Sequence, residues 1–450
     1  MGLPERLAAL EASGKPIRIG LVGVGQMGAG LIGQTSMSQG LRVVAAADVF
    51  LDRVRAGLAE GGPTAGEIVD VTPADVTNGT ADRLIADGKR LAMQDATSLC
   101  QLANVDVVIE ATGVPNIGAA VAFSAILARK HIVMLNVETD VTVGYLLKRM
   151  ADAAGVIYTT SAGDEPGAIK ELYDFAVSMG FEVVCVGKGK NNPLDHSATP
   201  DSVAQEARSK DMGAKMLASF VDGSKTMVEM TSVANATGLR IDQRGMHGPL
   251  TTVDALSTVF CPREDGGILS RRGIVDYATG PVAPGVFVII TTNQPKVIKD
   301  LKYLKLGQGP YWTLYRPYHL ANMETTLSAA RAVLYHEATL APSGIPVAET
   351  LAVAKRDLAP GDVIDGIGGH AVYASVDDAA TARAEGLVPL GIIAGARVKV
   401  AVPRDTPLQY QHLDLDSTSF IVHLRNMQDA LLYGGGMSVP VPVGVGAATA

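Results

Sequence analysis

Short runs of apolar residues, each closed by a polar or glycine-bearing turn and followed by a segment of helical periodicity, recur through the first third of the chain. Runs of this kind predict buried parallel strands, and the segments between them predict covering helices. Residues 17–28 read IRIGLVGVGQMG, an apolar run that passes through a turn into a long stretch without proline. Val43 to Ala47, Asp106 to Glu110 (DVVIE), His131 to Asn136 (HIVMLN) and Gly155 to Thr160 (GVIYTT) predict further strands, and Asn116 to Lys130 an amphipathic helix. From about Phe181 the pattern changes. A strand at Glu182 to Gly187 leads into the polar stretch KGKNNPLDH (Lys188 to His196), and a lysine-rich helical segment runs from Ser202 through Glu229 to Asn235. Strands are expected at Val286 to Thr292 and Trp312 to Arg316. His319 to His336, free of proline and glycine, predicts a long helix returning to the first region. In the last region the turn of Lys355 to Asp365 (KRDLAPGDVID), Leu390 to Lys399 and Val400 to Pro407 predict a small β-rich module.

Gly23, Gly25 and Gly28 fall as G-x-G-x-x-G between strand and helix. The first permits a tight turn, the second lets the backbone approach a diphosphate, and the third lets helix and strand pack closely. Backbone N–H groups and the positive helix end then face a pyrophosphate, which makes Gly23, Gly25, Gln26, Met27 and Gly28 the expected dinucleotide loop. A glycine-rich turn capping a buried strand is the plainer alternative. Asp48 tips the balance, because it ends the second strand about 20 residues past the last glycine, where a carboxylate accepts hydrogen bonds from an adenosine ribose. Asp48 suits an unphosphorylated ribose, whereas Arg53 and Arg55 lie close enough to answer the 2′-phosphate of NADPH. Glu110, Thr112 and Gly113 after one strand, and Asn136, Val137 and Glu138 after another, are expected beside the ribose and nicotinamide.

The 450 residues exceed one ordinary core and predict two or three domains. A net charge of −8 without a long basic run argues against a nucleic-acid surface. Cys100, Cys185 and Cys261 are few, odd in number and far apart, which suits a reducing compartment and places the protein in the cytoplasm. No apolar run reaches the roughly 18 residues of a membrane span, so neither signal peptide nor anchor is expected.

The chemistry is expected in the middle region. Lys188, Lys190, Lys215 and Lys225 are candidates to hold an anion or polarise an oxygen, with Asn191, Asn192 and Ser197 as neutral partners. Each also reads as a solvated surface group. A divalent metal such as Mg or Mn would take hard oxygen ligands from Asp164, Glu165, Asp195 or Glu229. Asp164 and Glu165, just before Pro166, read equally as helix-start caps. Asp195 with His196 is a candidate proton-moving pair. His247 and His319 are ambiguous between structural and chemical roles, and no His/Cys cluster has zinc spacing. Tyr311, Trp312, Tyr315 and Tyr318 read either as a shield for a nicotinamide ring or as packing between domains.

The glycine fingerprint with AAADVF, the strand ends EATG and NVETD, and the stretches SAGDEPG, KGKNNPLD and YWTLYRPYHL together resemble the homoserine-dehydrogenase-like oxidoreductases. The final region resembles a SAF domain through RDLAPGDVI, Arg356 to Ile364. In the order of its parts the chain is similar to deoxyxylulose-phosphate reductoisomerase-like enzymes. The resemblance implies an α/β protein of three parts: a Rossmann dinucleotide-binding domain (1–165, completed by a helix at 318–340), an α+β catalytic and dimerisation domain (166–317), and a small β-rich SAF-like domain with a tail (345–450). It also implies a homodimer that uses NADPH to convert 1-deoxy-D-xylulose 5-phosphate, a small phosphorylated sugar, to 2-C-methyl-D-erythritol 4-phosphate. The residues alone leave two other functions open. One is a dehydrogenase of a small hydroxy-acid, amino-alcohol or sugar-derived substrate, and the other a non-catalytic dinucleotide sensor.

Overall fold

The computed structural model describes residues 2–210 and 212–434. Its first region is a parallel sheet of seven strands: β1 (Ile17–Val22), β2 (Leu41–Ala47), β3 (Ile68–Asp70), β4 (Arg90–Met93), β5 (Val107–Glu110), β6 (His131–Met134) and β7 (Tyr158–Thr160). They lie in the order β3-β4-β2-β1-β5-β6-β7, the doubly wound arrangement that the apolar runs predict. Except in the edge strand β3, where Ile68 and Val69 are only partly buried, the apolar residues of these strands are buried on both faces, so the strands read as continuous rather than alternating apolar runs. The order reverses beside β1, and the loop after β1 opens at that switch point. Gly23 there has φ +93°, and a Cβ on it would come within 2.7 Å of the Ala111 carbonyl carbon.

The helix Ala321–Tyr335 packs on the helix Gln26–Met37 and on β6, so a late segment of the chain joins the first region. It begins two residues after His319 and ends before His336, whose φ of +53° closes it.

The second region is a mixed sheet of five strands: β8 (Glu182–Gly189), β9 (Arg240–Ile241), β10 (Ile274–Ala278), β11 (Val286–Thr291) and β12 (Tyr311–Arg316). Its order is β12-β11-β8-β10-β9, with β11 antiparallel to both neighbours. Helices Glu165–Ser178 and Ser224–Thr237 pack against one face. Leu256, Phe260 and Leu269 cover the other, where they meet Cys185, Ile274 and Phe287.

The lysine-rich helical segment expected from Ser202 to Asn235 consists of three helices: Ala204–Ser209, Ala214–Val221 and Ser224–Thr237. Gly213 and Gly223 interrupt it, the latter at φ +89°, which ordinary side chains disfavour. Of the four aromatic residues, Trp312 is packed, buried against Gly309 with its indole N–H donated to the Gly307 carbonyl at 3.3 Å, while Tyr318 is half exposed.

The third region pairs β13 (Ala348–Ala354) with β14 (Val372–Asp378) in an antiparallel ladder. Leu390 to Lys399, expected as part of the β-rich module, is a 3-10 turn followed by a two-residue strand. The chain then leaves this module as the helix Phe420–Tyr433, which packs on helices Pro115–Leu127 and Val137–Ala154 of the first region. Residues 435–450 of the expected tail lie outside the described residues. All three cysteines are free and buried, and no helix among the described residues is long and apolar enough to cross a membrane.

Candidate active site

The first sheet meets the helix-bearing face of the second through residues that follow β6 and β7: Glu138 pairs with Lys225, and Glu165 with Lys188. On the first-region side, Gly28 sits where a Cβ would lie 2.0 Å from the Gly23 carbonyl oxygen, so helix and turn are in direct backbone contact. Gly25 faces open space, which leaves its backbone approachable. Asp48 accepts from the Val24 N–H at 2.9 Å and from the Phe50 N–H at 3.0 Å, so its carboxylate is fixed at the strand end. Arg53 stacks over the Phe50 ring at 4.8 Å. Arg55 points elsewhere, bound to Asp52 at 2.5 Å and to Asp70, and does not answer a phosphate beside Asp48.

Glu110, at the end of β5, is wholly buried, and burial pushes its carboxyl up to about 7. One of its oxygens accepts from the Thr112 N–H and hydroxyl. The other, Oε2, has no partner among the described residues, nor has the buried Asn136 Nδ2. The Asn136 Oδ1 caps the helix Val137–Ala154 by accepting from the Thr139 N–H at 3.1 Å.

On the second-region side the polar residues converge on one cluster. Lys188, on β8, points to the face that carries helices Glu165–Ser178 and Ser224–Thr237, and donates to Glu165 at 2.5 Å and to Glu229. Lys225, one turn before Glu229, pairs with Glu138 at 3.2 Å and so joins the two regions. Asp164, Glu165 and His319 present ligand atoms that all lie within 4.8 Å of one another. His319 donates Nδ1–H to the Gly163 carbonyl at 3.2 Å, and its Nε2 lies 3.5 Å from Glu165 Oε1. The helix-cap reading of the two acids is not realised. Asp164 occupies the cap position without bonding the helix N–H groups, and Glu165 turns to Lys188.

Electrostatics divide these groups. Burial raises Asp164 to about 6 and Glu229 to about 8, the latter helped by its neighbour Glu165. Burial would raise Glu165 too, but Lys188 and His319 hold it well below the usual carboxylate range. Lys188 and Lys225 are buried yet held above the ordinary lysine value, by Glu165 and Glu229 and by Glu138 and Asp164 respectively. Lys190 goes the other way, pushed down to about 8 by burial and by Lys188, while its Nζ donates to the carbonyls of Asn192 at 2.7 Å and Phe220 at 2.8 Å. Four acidic groups, Glu138, Asp164, Glu165 and Glu229, thus lie among the ammonium groups of Lys188, Lys190 and Lys225 and the imidazole of His319.

Other expected site residues lie apart. Asp195 accepts from the Ser197 N–H and hydroxyl, and His196 stacks on Tyr373 and donates to the Asp222 carbonyl, so the two do not form a proton-moving pair. Lys215 is tied to the Asp365 carbonyl at the boundary with the third region. Asn192 enters through its carbonyl rather than its amide. His247 is on the opposite face of the second sheet, its Nδ1 2.7 Å from Asp276. Asp222 and Lys355, a fully buried pair at 2.8 Å, were not foreseen, because nothing local in the sequence marks partners so far apart.

Residues 163–325 match the family described as oxidoreductase DRL, catalytic domain, and residues 349–414 match the SAF domain family. The cluster around Lys188 therefore lies largely within the residues that match the first of these families. No curated protein matches the chain. Among solved structures, a probable dehydrogenase from Thermotoga maritima is similar at 14% identity and a TM-score of 0.40, over 71% of this chain and 90% of that one. Scyllo-inositol dehydrogenase from Lactobacillus casei, solved with bound NAD(H) and scyllo-inositol, is similar at 16% identity and a TM-score of 0.38, over 70% of this chain and 86% of that one.

Proposed function

We propose that the protein is a nicotinamide-dependent dehydrogenase that interconverts an alcohol and a ketone on a small hydroxylated substrate. The observation that carries this reading is Lys188, buried between Glu165 and Glu229 in the matched catalytic domain and facing the dinucleotide loop's end of the first sheet. A nicotinamide dinucleotide, held at the glycine turn with its ribose on Asp48, would supply or accept the hydride at the carbinol carbon. Lys188 has three N–H donors and spends two on Glu165 and Glu229, so the third is left for the substrate oxygen. Glu229, raised to about 8, holds or releases the proton that the oxygen gains or loses.

The cofactor loop supports NADH over NADPH. Asp48 is held in place to accept from a ribose hydroxyl, and of the two arginines that argued for a 2′-phosphate, Arg55 is already paired with two acids. Titration of both dinucleotides by fluorescence is expected to show NADH binding at least tenfold tighter, about 1.4 kcal/mol. Equal binding would return NADPH to the reading. A phosphorylated substrate finds less support, because Lys190, Lys215 and Lys225 have partners within the protein and Lys188 keeps only one donor.

A second reading, the reductoisomerase, keeps one specific support. Asp164, Glu165 and His319 form a mixed oxygen and nitrogen donor set that fits a divalent cation such as Mn, with His319 oriented by the Gly163 carbonyl. Such a cation would hold adjacent oxygens of a ketose.

Purified protein with NADH or NAD+ and a panel of polyols, hydroxy-acids, ketoses and 1-deoxy-D-xylulose 5-phosphate, with and without Mn, separates the readings by absorbance of the reduced nicotinamide. Lys188→Met is expected to lower turnover by about 10²–10⁴-fold with dinucleotide affinity unchanged. Failure of the wild-type chain to bind either dinucleotide would sink both readings. Turnover of the ketose phosphate alone, dependent on Mn, would establish the second over the first.

A further inference from the structure

The chain between β8 and the helix Ser224–Thr237 runs past Lys190 and the loop after β5, and the third region grips it at several independent points. Lys355, at the end of β13, is 4% exposed, and Asp222 is wholly buried. The three N–H bonds of Lys355 go to three separate places: Asp222 Oδ2 at 2.8 Å, the Ala198 carbonyl at 2.6 Å and the Gly369 carbonyl at 2.8 Å. Two of these belong to that segment and one to its own module. His196 stacks on Tyr373 of β14 at 4.1 Å and donates Nδ1–H to the Asp222 carbonyl. Gly368, at φ +65°, lies so close to the Lys215 carbonyl that a Cβ there would approach it to 2.0 Å.

The same segment reaches the chemistry. Met216, next to Lys215 on the helix Ala214–Val221, has its methyl 4.0 Å from where a Cβ on Gly113 would lie, at the end of β5. The Phe220 carbonyl, two residues before Asp222, accepts from Lys190. One short helix therefore links the third region on one side to the loop after β5 and Lys190 on the other.

We propose that the SAF module is the fixed anchor of a cover over the reaction site, fastened by the buried Lys355–Asp222 pair, and that Lys355 is a positioning residue for Lys190. This rests on the reading of the Lys188 cluster as the reaction site. Apolar packing could join the two regions, but it slides, whereas a buried ammonium bonded to three acceptors fixes one arrangement, because each alternative strands a charge. The charged groups facing Lys190 are Lys188 on its own strand, and Asp222 and Glu229 from the cover's end and the helix beyond it. The low proton affinity of Lys190 depends on water being kept out by the cover.

The test uses the full chain and needs no substrate. Hydrogen exchange of the amides of Asp195 and Asp222, bonded to the Val221 and Ala218 carbonyls, is compared in the wild type and Lys355→Met. In parallel, the pH midpoint of Lys190 acylation is read by mass spectrometry. Lys355→Met is expected to speed exchange in the cover at least about tenfold while the amides of β1 and β5 keep their rates. The Lys190 midpoint should move up from about 8 toward the ordinary lysine value of 10.5. Because the single variant leaves Asp222 buried and unpaired, the double variant Lys355→Met with Asp222→Asn removes the stranded charge. If the double variant restores stability and still shows the loosened cover and shifted midpoint, the anchor stands. If its exchange and midpoint match the wild type, or if every region of the single variant loosens alike, the proposal fails. A wild-type chain that binds no dinucleotide yet gives the expected exchange pattern would overturn the function and leave the anchoring measured.

Discussion

At the scale of single residues, the buried polar groups sort by what each one is bonded to. Lys188 and His247 show the contrast. Both lie on the second sheet or against it, but Lys188 has a donor left over, whereas His247 is enclosed by acids. Its N–H and that of Gly248 donate to the Asp276 carboxylate, its Nδ1 lies 2.7 Å from the same group, and its Nε2 lies 3.4 Å from Asp242. The hydrogen bond to Asp276 is the main cause that raises its pKa above the ordinary 6.5, against a smaller loss from burial. A histidine raised in the folded state stabilises fully below its unfolded value, and that contribution fades as pH climbs through the raised native value. Urea midpoints measured from about pH 5.5 to pH 9 should therefore fall as the pH rises through and above the unfolded value. In His247→Gln this part of the slope should vanish, and a slope unchanged by the substitution would show that His247 does not carry it.

At the scale of elements, the glycine turn makes the sharpest separation between folding and binding. A methyl at position 28 would meet the Gly23 carbonyl oxygen at 2.0 Å, while one at position 25 meets nothing within 4 Å. Gly28→Ala should therefore lower both the melting temperature and dinucleotide affinity. Gly25→Ala should keep the melting temperature and weaken the dinucleotide at least tenfold, about 1.4 kcal/mol, since only an approaching diphosphate meets the new methyl. Equal losses in both variants would mean that the turn is structural only. This loop, Asp48 and the strand ends at Glu110 and Asn136 were legible because the strands are continuous apolar runs and the glycines fall at fixed offsets from them. The shorter strands β3 and β4 were not, since Ile68–Asp70 and Arg90–Met93 are too brief to show a period. Lys188, Glu165 and Glu229 were each marked as candidates, but their mutual pairing depends on how one strand and two helices pack, which no local pattern encodes. Asp195 and His196 misled for the opposite reason. They are adjacent in sequence, yet one bonds within its own turn and the other turns to Tyr373 and Asp222.

At the scale of the whole molecule, one apolar cluster runs from Val108 of the first sheet through Met230 and Val372 to Ile421 of the last helix, so the three regions share a core. Arg425 of that helix pins the arrangement. It donates to Glu349 of β13 at 2.6 Å, to Asp429 at 2.9 Å and to the Thr142 carbonyl at 3.3 Å, and both Arg425 and Glu349 are 8% exposed. Arg425→Met keeps much of the apolar contact but leaves Glu349 buried without its cation, a change that costs about 3–5 kcal/mol. Trp312, the single tryptophan, reports on the five-stranded sheet, a region that Arg425 does not touch. If the shared core makes unfolding one event, tryptophan fluorescence and far-ultraviolet circular dichroism should both move to lower urea by the same amount in the variant. If the fluorescence transition stays in place while the dichroism shifts, the second region unfolds on its own, and the cover held between it and the SAF module would open without the rest of the molecule giving way.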